Sequence, residues 1–420
     1  MALTITMSAS PELPAAPMDA GTRPSMVRRP AESEVALLTG GIDRPYAFGL
    51  STALASKGVR LDVLAGAELD SPEMHADSNL RFLDIYGDGR KAGGPAAKLK
   101  RVLNAYLGLI RYAAQAKPKI FHILWNNKFP LFDRTLLTTY YKLLGKKLVF
   151  TAHNVNQAKR DSNDSFLNRF SLKVQYRLCN HIFVHTDKMK AELLEDFGVG
   201  ESAVSVIPFG INNSLPQTAM TPAQAKQRLG IKRHEKTVLF FGRLRPYKGL
   251  EYLVTAFQQI AATEADYRLI IASEPKVGSE KYFEEIRQLI SKDHDGRGVV
   301  QQFAFIPDED TELYFKAADV VILPYTDTSQ SGVLFLGYSF GLPAIASDVG
   351  SFAEDIIPGR TGFLCKPRDA QDLARTIRQY FASDLFKDLE RRRQEIVAYA
   401  QSKNSWDTVV EITREVYASL

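Results

Sequence analysis

Residues 237–249 read Thr-Val-Leu-Phe-Phe-Gly-Arg-Leu-Arg-Pro-Tyr-Lys-Gly. The first five residues are apolar β-formers, a pattern typical of a buried strand, and Gly242 ends the run. A helix with apolar residues at helical spacing follows the final glycine. Arg243, Arg245 and Lys248 are therefore predicted to lie in a loop at the carboxyl end of a parallel strand, where open α/β sheets bind ligands. Three cations at this place suit an anion such as a diphosphate, although a solvated basic turn is the alternative.

Short apolar strands and amphipathic helices alternate along most of the chain, and this alternation predicts right-handed parallel sheets covered by helices on both faces. A chain of 420 residues is too long for one ordinary core, so we expect two α/β domains. The predicted boundaries are a disordered tail (1–32), an N-terminal domain (33–214), a C-terminal domain (218–402) and a helix that crosses back to the N-terminal domain (403–420). The strands are predicted at 35–38, 61–64, 81–83, 120–124, 147–151, 181–185 and 204–207, and then at 237–241, 268–272, 299–303, 320–323 and 344–346.

Composition indicates a globular protein, with 45% hydrophobic and 24% charged residues. No apolar run approaches the ~20 residues that span a bilayer. The N-terminal tail lacks a signal-peptide core, so we expect a cytoplasmic protein. Cys179 and Cys365 fit no metal-ligand spacing and are expected to be buried free thiols. Charge is uneven, because residues 90–190 hold 20 Lys and Arg against four Asp and Glu, a net charge of +16.

The pattern Phe-Gly-Arg-Leu-x-x-x-Lys-Gly, which contains Arg243 and Lys248, resembles the donor-diphosphate signature of glycosyltransferase family 4. That family consists of retaining enzymes with the GT-B fold, and the resemblance extends over 35–420. The segment 208–213, Pro-Phe-Gly-Ile-Asn-Asn, resembles the family's Pro-Asn-Gly-Val-Asp linker with two changes. The resemblance implies two Rossmann-like domains facing a cleft, with an NDP-sugar on the C-terminal domain. Arg243 and Lys248 would then lie in an open cleft and neutralise the leaving diphosphate.

Further site residues follow from the resemblance. Gly40 and Gly41 form a Gly-Gly turn between a strand and a helix, and the family's equivalent loop faces the cleft near the donor phosphates and the acceptor. His153 ends a strand in Thr-Ala-His-Asn, and its counterpart lies beside the donor sugar, where it can donate a hydrogen bond or help to relay a proton. His122 and His185 also end strands, and structural roles are expected for both. The backbone near Phe305 would hold the nucleotide base.

The segment 324–333, Pro-Tyr-Thr-Asp-Thr-Ser-Gln-Ser-Gly-Val, departs from the family. Most family members have Glu-Gly-Phe-Gly-Leu here and a second Glu eight positions after the first. Neither position is acidic in this chain, because the first falls on Thr328 or Ser329 and the second on Leu336 or Gly337. We expect neutral replacements to hydrogen-bond the sugar and a helix N-terminus to hold phosphate, whereas a simple N-cap serine is the alternative. The donor-binding candidates in this segment are Gln330, Ser331, Gly332 and Val333.

We therefore expect a retaining hexosyltransferase of the GT-B fold that moves a sugar from an NDP-sugar to a glycan or lipid-linked acceptor, in surface polysaccharide or exopolysaccharide synthesis. No Asp-x-Asp lies in a nucleotide-sugar loop where it would suit a divalent cation, and no His/Cys cluster indicates a metal, so no cofactor is expected. No RNA-binding or zinc-finger pattern accompanies the basic region, so nucleic acid is not expected as a partner. A catalytically silent sugar-nucleotide-binding protein and a sugar-nucleotide epimerase remain as alternatives.

The basic region carries one more prediction. The helix expected at 96–116 has Lys98, Lys100 and Arg101 beside apolar residues, and Phe-Pro-Leu-Phe follows at 129–132. Basic side chains next to apolar ones suit an anionic membrane surface. Packing of the helix onto its own sheet is the alternative explanation of its apolar residues.

Overall fold

The computed structural model describes residues 34–41, 43–88, 94–161, 163–210, 215, 218–275, 278–292 and 298–420. The tail predicted at 1–32 and residues 211–213 of the linker-like segment 208–213 lie outside the described residues.

The N-terminal half contains a seven-stranded, all-parallel sheet in the order β3-β2-β1-β4-β5-β6-β7. Its central strands are buried along their whole length, as expected of apolar strands with helices on both faces. The strands are β1 (Val35–Leu38), β2 (Leu61–Ala65), β3 (Leu80–Asp84), β4 (Ile120–Ile123), β5 (Lys147–Thr151), β6 (His181–Val184) and β7 (Val204–Val206). The helices are α1 (Arg44–Ser56), α2 (Pro72–Ala76), α3 (Pro95–Gln115), α4 (Pro130–Phe132), α5 (Thr138–Leu143), α6 (Gln157–Arg160), α7 (Phe166–Leu178) and α8 (Asp187–Phe197), with a π-helical turn at Asp133–Leu137.

The second half contains a six-stranded parallel sheet in the order β10-β9-β8-β11-β12-β13. Its strands are β8 (Lys236–Leu244), β9 (Tyr267–Pro275), β10 (Val299–Gln302), β11 (Val320–Leu323), β12 (Ala344–Ser347) and β13 (Gly362–Cys365). Its helices are α9 (Pro222–Arg228), α10 (Leu250–Ala261), α11 (Glu280–Lys292), α12 (Asp308–Ala317), α13 (Gly332–Ser339), α14 (Phe352–Asp355), α15 (Ala370–Ala382), α16 (Asp384–Lys387) and α17 (Leu389–Lys403). The two sheets form the expected GT-B architecture of two Rossmann-like halves.

The last helix, α18 (Trp406–Ser419), packs against the N-terminal half. Its Tyr417 hydroxyl lies 2.6 Å from Nδ1 of His122, whose Nε2 lies 2.7 Å from the hydroxyl of Thr151. His122 is therefore a satisfied core residue, as expected. The ring of Trp406 fills space where a side chain at Gly49 would clash, which explains the glycine inside α1.

Both cysteines are free thiols in the structure. Cys365 ends β13 and is buried, whereas Cys179 is half-buried at the end of α7.

Candidate functional site

The order of the strands places one ligand site in each sheet. Sequence order reverses between β1 and β4 in the first sheet and between β8 and β11 in the second. Ligands of open α/β sheets bind outside the carboxyl ends of the strands at such points. The loop after β1 contains Gly40 and Gly41, the loop after β8 contains Lys248, and the loop after β11 contains Gln330 and Ser331. The predicted site residues thus lie where the topology favours ligands.

Backbone contacts hold the loops after β8 and β11 together. Gly249 adopts φ +65°, and a Cβ at this position would lie 2.0 Å from the carbonyl oxygen of Pro324. The amide of Thr326 donates to the carbonyl oxygen of Tyr247 at 2.8 Å. Lys248, between these contacts, is therefore fixed beside the segment that contains Gln330.

Lys248 is 7% exposed, so the expectation of an open cleft is wrong for this side chain. Its Nζ lies over the ring of Tyr325 at 5.5 Å. Desolvation, with repulsion from Arg243, Arg160 and Arg245, lowers the pKa of Lys248 from 10.5 to about 7. The charged groups that lower its pKa are all cations, and no carboxylate among the described residues forms an ion pair with it. The buried ammonium group therefore lacks a counter-ion that a bound anion would supply.

The arginines complete a cluster of cations from both halves of the molecule. Arg243 is largely exposed, as expected for a cleft residue, and its Nε lies 3.9 Å from a carboxylate oxygen of Glu274, too far for a strong ion pair. Arg160, at the end of α6 in the N-terminal half, places its guanidinium 4.2 Å from the ring centroid of Tyr247. The N-terminal half thus brings a cation next to Lys248.

Helix α13 begins beside this cluster. A Cβ at Gly242 would lie 2.8 Å from Nζ of Lys248 and 3.5 Å from Cγ2 of Val333, so the lysine and the first turn of α13 are neighbours. Ser331 occupies the N-cap position without a side-chain bond to the helix, and its Oγ lies 3.4 Å from the hydroxyl oxygen of Tyr325. No side chain caps the α13 amides, as a phosphate site at a helix N-terminus requires.

Gln330 contributes a side-chain hydrogen-bond acceptor to the site. Its Oε1 is buried and has no hydrogen-bond partner among the described residues. The positions of the missing glutamates carry no charge: Thr328 is buried and donates to the Gln330 carbonyl oxygen at 2.9 Å, and Gly337 packs against Val321. The unpartnered amide oxygen is the acceptor that this segment offers in their place.

The Gly-Gly turn is shaped by a tryptophan on β4's carboxyl side. Gly40 and Gly41 both have φ +66°, which favours glycine. A Cβ at Gly40 would lie 2.8 Å from the carbonyl oxygen of Trp125, so a side chain is excluded. The same tryptophan stacks on His153 with ring centroids 4.1 Å apart and planes 6° from parallel. The turn and His153 therefore share one wall of the cleft.

His153 presents an unpartnered nitrogen. Its Nδ1 lies 3.0 Å from Nε2 of His185, whereas its Nε2 is buried and has no partner among the described residues. Burial, with smaller effects of His185 and His122, holds the pKa of His153 well below its ordinary value. The ring is therefore neutral at physiological pH.

Phe209 and one ion pair join the halves around this site. Phe209 packs on His153 and stacks on Phe335 of α13, with ring centroids 5.8 Å apart in the second pair. Arg44 of α1 forms a 2.9 Å ion pair with Asp308 of α12. These contacts hold the two ligand sites face to face.

Phe305 lies in the loop before α12 and is 63% exposed. All the other exposed large hydrophobic side chains in the described part of the chain belong to the N-terminal half. An exposed aromatic ring can stack on a nucleobase, so Phe305 itself is available in addition to the backbone near it.

Sequence reasoning missed four contributors: Trp125, Arg160, Phe209 and Tyr247. Each acts through a partner distant in sequence, and a local pattern does not reveal such a contact. One signal was present, because Phe209 replaces the Asn of the family's linker signature. Within the described residues, no group of three or more His, Cys, Asp and Glu side chains is arranged to hold a metal ion.

Two sequence families match the two halves of the chain. "Glycosyltransferase Family 4" matches residues 40–215 and "Glycosyl transferases group 1" matches residues 223–403. A D-inositol 3-phosphate glycosyltransferase of Corynebacterium diphtheriae is 25% identical over 403 residues, covering 89% of this chain and 88% of the relative. A protein of the same name from Nocardioides is 23% identical over 413 residues, covering 91% and 88%.

Solved structures share the fold at low identity. Sucrose-phosphate synthase of Thermosynechococcus elongatus superposes with a TM-score of 0.73 at 19% identity, covering 93% of this chain and 100% of that one. HepE of Anabaena, in complex with UDP-glucose, gives a TM-score of 0.70 at 17% identity with the same coverage.

Proposed function

We propose that this chain, a glycosyltransferase family 4-like hexosyltransferase of the GT-B fold, transfers a sugar from an NDP-sugar to a glycan or lipid-linked acceptor with retention of anomeric configuration. The observation that carries the proposal is the buried Lys248, surrounded by cations at the switch point of the second sheet. A group in that position is stabilised by an anion with several charges, and a diphosphate supplies one.

The chemistry of the diphosphate follows from these charges. Negative charge grows on the diphosphate as the bond to the sugar breaks, and preorganised cations stabilise that state more than the ground state. Lys248 and Arg243 act on the leaving oxygens together with the uncapped N-terminus of α13. Because Lys248 and Arg243 supply cations at the proposed diphosphate position, the proposal requires no bound metal or cofactor.

In the proposal, neutral hydrogen-bond acceptors bind the donor sugar. Gln330 Oε1 and His153 Nε2 are buried atoms that lack partners in the described part of the chain, and sugar hydroxyls are suitable donors for both. The usual carboxylates are missing at 328–329 and 336–337, so no carboxylate there acts as a nucleophile. We infer a front-face reaction, in which the leaving phosphate helps to deprotonate the acceptor hydroxyl.

The donor panel decides between this proposal and its alternatives. Wild-type protein is incubated with UDP-, GDP- and ADP-sugars, with and without sugar and lipid-linked acceptors, and products are identified by mass. UDP-sugars come first, because HepE was solved with UDP-glucose. Acceptor-dependent release of NDP with a glycosylated product supports the proposal. A new sugar nucleotide would indicate an epimerase, and binding without any product would indicate a silent sugar-nucleotide-binding protein.

We propose that the N-terminal half meets the acceptor at a membrane surface. Exposed apolar side chains lie on neighbouring elements of the N-terminal half, since Tyr106 of α3 stacks on Phe129 and Arg134 donates to Asn168 of α7 at 2.8 Å. We call them the apolar face; its members are Leu99, Leu103, Leu107, Phe129, Leu131, Leu136, Phe166, Leu167 and Phe170. The three leucines of α3 recur every four residues on the solvent side of the helix, so packing onto the sheet does not explain them.

The basic side chains around the apolar face favour an anionic membrane surface. Lys98, Lys100 and Arg101 lie on α3 among the exposed leucines, and the surrounding region is strongly basic. Each Lys or Arg near an anionic bilayer contributes about 1 kcal/mol. On the strength of these charges we propose peripheral attachment at the cytoplasmic face of a membrane, for a lipid-linked or growing surface glycan. No helix in the described part of the chain is long and apolar enough to cross a membrane.

Flotation with liposomes tests the attachment. Wild-type protein should float with liposomes that contain anionic lipid at low salt, and less at high salt. Lys98→Glu, Lys100→Glu and Arg101→Glu together should abolish flotation. The matched triple variant Lys281→Glu, Lys387→Glu and Arg391→Glu, on exposed positions of the second half, should float like wild type. Failure of wild type to float at low salt would remove the membrane from the proposal.

A further inference from the structure

His185 follows β6 and contacts two groups with its two ring nitrogens. Its Nδ1 lies 3.2 Å from the carbonyl oxygen of Ile207, and its Nε2 lies 3.0 Å from Nδ1 of His153. A carbonyl oxygen accepts hydrogen bonds and never donates them. The hydrogen in the first contact therefore belongs to His185 Nδ1.

The tautomers of both rings follow from this single fact. Burial lowers the pKa of His185 to about 4, so its ring is neutral and carries one N–H. With that hydrogen on Nδ1, His185 Nε2 has a lone pair and accepts from Nδ1–H of His153. The neutral ring of His153 then carries its hydrogen on Nδ1, and its Nε2 is a lone pair.

We propose that His185 is a positioning residue, which fixes His153 in the Nδ1–H tautomer so that its buried, unpartnered Nε2 is a hydrogen-bond acceptor. The inference rests on the proposed function for the identity of the group that Nε2 meets. An acceptor nitrogen pairs with a hydroxyl and is repelled by an unprotonated phosphate oxygen. His153 therefore recognises a sugar or acceptor hydroxyl, and of the two roles expected for it, donation to a substrate oxygen is excluded.

The surroundings of His153 keep the ring in this orientation. Trp125 lies parallel to it at 4.1 Å, and Tyr46 meets it edge-on with centroids 4.7 Å apart. Phe209 closes a third side at 6.1 Å. A flipped ring would put Cδ2 in the place of Nδ1 and leave His185 Nε2 without its donor, and an unsatisfied buried acceptor is destabilising.

NMR of the full-length protein, labelled with ¹⁵N in the histidine rings, reads the tautomer without any need for activity. We expect His153 to show a protonated Nδ1 and an unprotonated Nε2, with assignments from His153→Gln. His185→Leu removes the acceptor, and we expect His153 to lose the single Nδ1–H form. His185→Gln offers an amide oxygen in place of Nε2 and should keep it. His181→Leu, on the same strand and bonded to Ser205, is the matched control and should leave the His153 signals unchanged.

Kinetics add a second readout. We expect His185→Leu to lower kcat at least 10-fold with less than a threefold change in donor KM, and His185→Gln to restore most of kcat. A wild-type spectrum with hydrogen on His153 Nε2, or one unchanged by His185→Leu, would overturn the inference. If His185→Leu does not fold, the wild-type spectrum and His185→Gln decide the matter. If no NDP-sugar is turned over, the proposed function fails while the spectra still decide the tautomer.

Discussion

Lys248 should make the stability of the ligand-free protein depend on pH. Its pKa is about 7 in the folded protein, compared with 10.5 ordinarily, because its ammonium group is buried among cations. Between these two pH values the unfolded chain holds a proton that the folded chain lacks, so stability rises with pH in this window. The lowered pKa of Lys248 therefore reduces the free energy of unfolding by roughly 5 kcal/mol below pH 7, where the buried lysine is charged, and by about 2 kcal/mol at pH 9, where it has lost its proton, at about 1.4 kcal/mol per pH unit.

Lys248→Met removes this titration while keeping an unbranched apolar stem. The wild-type protein should therefore gain about 2–3 kcal/mol relative to Lys248→Met between pH 6 and pH 9. The free energy of unfolding is measured by guanidinium denaturation with circular dichroism at both pH values. Lys281→Met, at a lysine whose side chain is 94% exposed, is the control and should track wild type at both. If the difference between wild type and Lys248→Met were the same at pH 6 and pH 9, the argument for a desolvated, counter-ion-deficient lysine would be refuted.

Three further outcomes are expected. Arg243→Ala should reduce NDP release by about 10²-fold or more with little change in stability, because its side chain is exposed and weakly paired; near-normal kcat and donor affinity would contradict its role. Gln330→Ala should weaken binding of the sugar nucleotide more than binding of free NDP, because its buried Oε1 faces the sugar in the proposal; equal losses in calorimetric titrations would place Gln330 on the nucleotide or make it structural. EDTA treatment should leave NDP release unchanged, because protein cations hold the diphosphate in the proposal. A loss of activity that a divalent cation restores would show that a metal takes part.

The fold was accessible from sequence because its signals are local. Apolar runs such as 237–241 locate the strands. The predicted end at Gly242 was wrong, because pairing with β9 carries β8 on to Leu244, so Arg243 lies in the strand and Lys248 in the loop after it. Strand β13 was missed, since Gly-Phe-Leu-Cys is too short and too close to turn residues for its pattern to be recognised.

The candidate site was accessible in its position but not in its physical state. Sequence places Lys248 in a loop after a strand, but its burial depends on the loop after β11, which meets Gly249 through Pro324. The direction of the hydrogen bonds of His153 likewise depends on His185 and on the carbonyl oxygen of Ile207, and a local motif identifies neither contact. Sequence therefore placed the candidate residues at the ends of strands, whereas their contacts, charge state and hydrogen-bond direction required the packing.

The claim that the cations around Lys248 bind a diphosphate is tested most directly by calorimetry at pH 8. UDP, GDP and ADP are titrated into wild-type protein in buffers of different ionisation enthalpy, with the matching monophosphates as controls. We predict that at least one diphosphate binds at least 10-fold more tightly than its monophosphate. Binding should take up close to one proton, because the anion raises the pKa of Lys248. Lys248→Met should abolish the proton uptake. Equal affinities for diphosphate and monophosphate, or binding by wild type without proton uptake, would contradict the account.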